Sequence, residues 1–211
     1  MFLFIDRHGG EMKRKIDFGL PQVLLILYLI EFTVLAIQPF SREVWIAENV
    51  PIVLIVLVLA LTYRYYRFSN TAYGLMAVLI FLHTIGGHFT FELVPFQWVT
   101  DLFGFSRNNF DRIAHFSVGF YAFAACELVE RKKWSQSRIL TALFGVFMIF
   151  TVAAVYEILE WLFAVTADPK AGIAFLGSQG DIWDAQKDML SDGLGAVTAT
   201  IFYGFLRWRK H

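Results

Sequence analysis

A chain of 211 residues that is 57% hydrophobic and 18% aromatic, with 23 phenylalanines, carries more apolar surface than a water-soluble domain of that size can cover. Its 18 basic and 18 acidic residues cancel, and no basic stretch is interleaved with exposed aromatics, which argues against a nucleic-acid partner. The single cysteine, Cys126, excludes an internal disulfide framework and reads as a small buried hydrophobe.

Residues 1–19 are polar and basic, show no cleavable signal and read as a cytoplasmic segment; Met12, ahead of Lys13-Arg14-Lys15, is an alternative start. Residues 20–206 read as one all-α membrane domain, and 207–211 as a cytoplasmic tail. Six apolar runs predict transmembrane helices at about 20–37, 46–63, 71–91, 110–128, 139–163 and 184–206, each near the length that about 30 Å of hydrocarbon requires. Pro51 lies early in the second run, where a missing donor is tolerated. An aromatic, proline-bearing loop joins the third and fourth, and a loop ending in Gly177-Ser178-Gln179-Gly180 joins the fifth and sixth.

Thirteen of the 18 basic residues fall on the side of the termini and even loops, so the positive-inside rule places both termini in the cytoplasm. All six tryptophans sit at span ends, as an aromatic belt does. Gly195 with Ala199, and Gly86-Gly87, suggest close helix packing or a kink.

A charge in hydrocarbon is costly enough to mark a functional site by default. With this orientation His88, Glu92, Asp111, Arg112, His115, Glu157, Glu160, Asp184, Asp188 and Asp192 all fall in the outer half of the last four helices. His88/Glu92, Asp111/His115, Asp184/Asp188 and Asp188/Asp192 are i,i+4 pairs and Glu157/Glu160 is i,i+3, so each pair lies on one helix face. Inward carboxylates and imidazoles at these spacings build metal sites in helix bundles and suit Zn, Mn or Fe. The acids outnumber Arg112 and Lys187, the nearby bases, and must be protonated, hydrated or neutralised by a cation. Plainer readings compete. Asp181, Asp184 and Asp111 are also first-turn acids, Glu92 an interfacial residue, His83 a deeper interhelical histidine and Glu31 a snorkelling or interhelical partner.

At Asp111-Arg112-Ile113-Ala114-His115-Phe116, Tyr156-Glu157-Ile158-Leu159-Glu160-Trp161 and Gly177 to Met189 the chain resembles the bacterial YjdF-type inner-membrane family of unknown function. More loosely it is similar to the VanZ-like family, whose namesake is linked to teicoplanin resistance. That similarity falls on Asp111, His115, Glu157, Glu160, Asp188, Asp192 and Gly195. Arg112, Glu160 and Asp192 stand where the VanZ pattern favours Lys, Gln and Asn. The resemblance implies a multi-pass protein of the bacterial inner membrane and supplies no reaction.

Three functions remain open. The first is a metal-assisted hydrolase or transferase acting on a lipid or lipid-linked envelope molecule. There His88, His115, Glu157 and Asp188 hold a divalent ion, Glu160 or Asp192 acts as base, and Arg112 orients an anionic head group. Asp111, Glu92, Gln179 and Asp184 support them. The second is a proton- or ion-coupled transporter, which the apolar inner halves of the helices disfavour. The third is a protein that binds an envelope ligand without turning it over. Oligomeric state is not legible.

Overall fold

A computed structural model of the chain describes residues 18–167 and 169–208. Most of the expected N-terminal segment, with Met12, and the end of the tail lie outside the described residues. Within them the regular structure is helical: α1 (Leu20–Leu35), α2 (Arg42–Thr62), α3 (Asn70–Phe89), α4 (Gln97–Phe103), α5 (Phe110–Val118), α6 (Tyr121–Arg131), α7 (Arg138–Thr166), α8 (Pro169–Leu176) and α9 (Asp184–Arg207).

Among the described residues five spans are long and apolar enough to cross a membrane: α2, α3, α5 continued by α6, α7 and α9. The first expected span appears as the shorter α1, whose 16 residues reach about 24 Å. Ser41, Ser69 and Ser137 start α2, α3 and α7, each accepting a hydrogen bond from the amide three residues on. Two features were not expected. The fourth span breaks at Gly119-Phe120, and short helices α4 and α8 form in the connecting loops.

Glycines set the closest approaches. A Cβ on Gly195 would lie 1.9 Å from the Phe116 carbonyl oxygen, and one on Gly119 would lie 2.2 Å from the Ala196 nitrogen. The backbones of α5 and α9 therefore touch, as small residues at a membrane crossing allow. Gly87 leaves room for Glu48 of α2, and Gly86 for the ring of Phe91. Helices α1 and α2 pack on α3, while α5, α6 and α7 pack on α9. Phe123, Cys126, Ile149, Ala196 and Tyr203 fill the core between the latter. Helix α8 turns back along the end of α7, with Phe163 and Phe175 ring centroids 4.4 Å apart, and also touches α2.

Candidate functional site

The close crossing of α5 and α9 brings two polar faces together. His115, one turn after Asp111, faces Asp188 and Asp192, themselves one turn apart. His115 Nε2 lies 3.5 Å from Asp111 Oδ1 and 3.6 Å from Asp188 Oδ1, while His115 Nδ1 lies 3.3 Å from both oxygens of Asp192. The ring is thus held from one side by a fully buried carboxylate and offers its other nitrogen to two more. These three atoms, from Asp111, His115 and Asp188, all lie within 4.8 Å of one another. Ligands bound to one tetrahedral ion at about 2.0 Å stand roughly 3.3 Å apart, so the triad already has nearly the spacing a metal needs. A carboxylate behind the distal nitrogen is the usual support of a metal-bound histidine.

Arginines compensate part of the negative charge. Arg112 donates to Asp184 and Asp188 and approaches Asp111 at 3.3 Å. Arg107, which sequence reasoning left out of the site, bonds Asp184 at 2.5 Å and lies 3.9 Å from Asp111. It also donates to the Ser178 carbonyl at 3.2 Å. Gln179 and Asn108 clasp each other, the Asn108 amide donating to Gln179 Oε1 and Gln179 Nε2 to the Asn108 carbonyl, each at 3.0 Å. The 177–180 loop is therefore strapped over the polar end of the bundle, with Gly177, Gln179 and Gly180 in the left-handed region. Beside it, Lys187 Nζ donates at 2.6 Å to Asp181 and holds that carboxyl below its ordinary pKa.

A second polar wall faces the triad across a cavity of about 130 Å³. His83 Nε2 lies 3.0 Å from Glu48 Oε2, and the Tyr156 hydroxyl donates to the same oxygen at 2.9 Å. Glu48 is buried and has both of these partners, as an ionisable group inside a membrane bundle requires. Glu160 lines the cavity with these residues and with Asp111, His115, Asp188 and Asp192. Sequence reasoning missed Glu48 and Tyr156. The legible signal was Ala153, Tyr156 and Glu160 at i, i+3 and i+7, one face of α7.

Other expected residues stand elsewhere. His88 is not part of the cluster: its Nδ1 lies 2.7 Å from the Leu35 carbonyl, satisfying an open acceptor at the end of α1. It follows His83 by five residues, about 140° around the helix, so the two cannot share a face. Glu92 does not pair with His88, because α3 ends at Phe89 and Thr90 and Phe91 take left-handed conformations. Glu157 lies within electrostatic reach of His115, Asp188, Asp111 and Asp192, and its buried Oε1 has no hydrogen-bond partner among the described residues. Asp184 is taken up by the two arginines. Cys126 is buried and free, as expected.

A family described as predicted membrane protein (DUF2238) matches residues 20–209. The chain belongs to this family. The inner membrane protein YjdF of Escherichia coli K12 is 35% identical over 180 residues, covering 82% of this chain and 84% of that protein. All three stretches that carried the YjdF resemblance lie within the matched family region, and the first and third hold Asp111, His115 and Asp188. No solved structure matches.

Proposed function

We propose that this protein is an enzyme of the bacterial inner membrane that holds a divalent cation at Asp111, His115 and Asp188. It hydrolyses or transfers a group on a lipid or lipid-linked envelope molecule. The observation that carries this reading is His115, held by Asp192 on one nitrogen and facing two carboxylates at 3.5 and 3.6 Å with the other. Nitrogen and oxygen donors of this kind suit Zn, Mn or Fe. When bound, such an ion polarises an ester or phosphoryl oxygen and activates water.

The chain's own groups divide the remaining work. Asp192 keeps the His115 ring oriented and its outward nitrogen free for a ligand, a positioning role in place of the base expected from sequence. Arg112 holds Asp188 and Asp184 in place, so its guanidinium is engaged with carboxylates before any head group arrives. Glu160 faces the cavity and is the base best placed to take a proton there. Glu157, whose buried Oε1 has no hydrogen-bond partner among the described residues, is a further candidate donor for the cation. Across the cavity, Glu48 and His83 orient the Tyr156 hydroxyl. The remaining lining, Ile52, Ile55, Leu79, Val118 and Ala153, is apolar, which favours a pocket over a conduit. By the positive-inside rule both termini are cytoplasmic and the cavity lies in the outer half of the membrane.

Elemental analysis of protein purified in mild detergent tests this. About one equivalent of Zn, Mn or Fe is expected, lost in His115→Ala and Asp188→Ala. Metal-free wild-type protein that stays metal-free after incubation with these ions would overturn the reading.

A further inference from the structure

We propose that the cavity is entered sideways from the bilayer, through a portal between α2 and α7 beneath α8, and that its substrate is a membrane lipid whose hydrocarbon chain lies in that portal. This deepens the reading of the cavity as the working site and rests on it.

Helix α2 packs on α3 and α8, and α7 packs on α6, α8 and α9, but among the described residues no extensive seam joins α2 to α7. The two helices nevertheless line facing sides of the cavity, through Ile52 and Ile55 on one and Val152 and Ala153 on the other. The gap between them is closed toward the polar end. There the Tyr156 hydroxyl reaches Glu48 at 2.9 Å, and α8, packed against both helices, supplies Phe175 to the roof. Below that level the facing residues are apolar.

Val152 decides the direction of entry. It lines the cavity and is 49% exposed, so the cavity opens beside it. It is the midpoint of Arg138–Thr166, and the middle of a spanning helix faces hydrocarbon. What covers an opening at that depth is the acyl region of the bilayer, where polar solutes are excluded. Toward the aqueous end, the strapped 177–180 loop stands in the way. A lipid fits both ends of this path, its polar group against the triad and its chain leaving between Ile55 and Val152.

The test reconstitutes the full chain into phosphatidylglycerol–phosphatidylethanolamine vesicles containing a phospholipid with a diazirine in its acyl chain. Photolabelled residues are then mapped by mass spectrometry. Label is expected on Val118, which lines the cavity from α5 rather than from either helix of the portal, as well as on exposed Leu57 and Val155. Val152→Trp, which puts a large ring in the opening, should remove the interior label and keep the exterior one. Label confined to exposed residues in the wild type, or interior label unchanged in Val152→Trp, overturns the portal. Metal content is measured on the same samples. Interior label without metal keeps the portal and removes the metal reading, and metal without interior label does the reverse.

Discussion

His115 is the residue on which the site turns, because each of its ring nitrogens has a different task. Nδ1 is committed to Asp192, and the nearly isosteric change Asp192→Asn removes that charge with little change of shape. Metal affinity should fall about 10–100-fold while the protein still folds, read by titrating Zn or Mn into purified protein. Unchanged affinity would mean that Asp192 does not support the ring. His88 gives the complementary test. Because it closes the end of α1, His88→Ala should lower thermal stability and leave metal content as in wild type. Arg112 supplies a third. Arg112→Met leaves Asp184 and Asp188 with less compensation in a site where Arg112 itself is only 15% exposed, and should cost about 3 kcal/mol in stability. Denaturation in detergent would read it. At this scale the residue types were legible in the sequence, since intramembrane acids and imidazoles stand out against Leu and Phe. Their pairing was only partly so. Asp111, His115, Asp188 and Asp192 meet because each pair sits within an unbroken helix, whereas the left-handed Thr90 and Phe91 separate Glu92 from His88.

The element that positions the site is the crossing of α5 on α9. Gly195 and Gly119 face each other's backbones there, and Asp192 and His115 are each within one or two turns of the contact. Gly195→Ala should therefore be costly despite its small size, because the new methyl would meet the Phe116 carbonyl at 1.9 Å. A loss of about 2 kcal/mol is expected, with weakened metal binding as α5 shifts. Calorimetry in detergent together with metal titration checks both, and a variant as stable and as metal-replete as wild type would count against the crossing. The Gly195–Ala199 spacing suggested close packing or a kink on this helix but did not name α5 as the partner. The break between α5 and α6 was not readable, because Val118-Gly119-Phe120-Tyr121 continues the apolar run and nothing local announces a stop. Helix α8 escaped notice for a different reason. Its eight residues make sense only once Phe175 can pack on Phe163.

Across the whole molecule, charge is distributed unevenly along the bundle. At one end stand the triad, the two arginines and the strapped loop. At the other, buried Glu127 accepts from the Ser69 backbone and hydroxyl and from Arg131, tying α3 to α6. Burial raises the Tyr66 hydroxyl pKa in the same region, beside the Arg131 guanidinium. The basic surplus lies at this second end, so it should face the cytoplasm and the site should face outward. Single cysteines introduced at Arg64 and at Ser178 in a Cys126→Ala background should differ accordingly, with only the latter labelled by an impermeant maleimide in intact cells. The opposite pattern would invert the orientation and place the site in the inner half. The helical membrane architecture was legible from hydropathy alone. The concave space between α2 and α7 was not, because it depends on which helices leave a gap.

The most direct measurement is an anomalous-scattering map from crystals of the metal-loaded protein, collected at the absorption edge of the bound element. A single peak between Asp111 Oδ1, His115 Nε2 and Asp188 Oδ1, about 2.0–2.2 Å from each, is the expected result. A metal-loaded crystal with its peak anywhere else, or with none, would contradict the proposed metal centre and the function inferred from it.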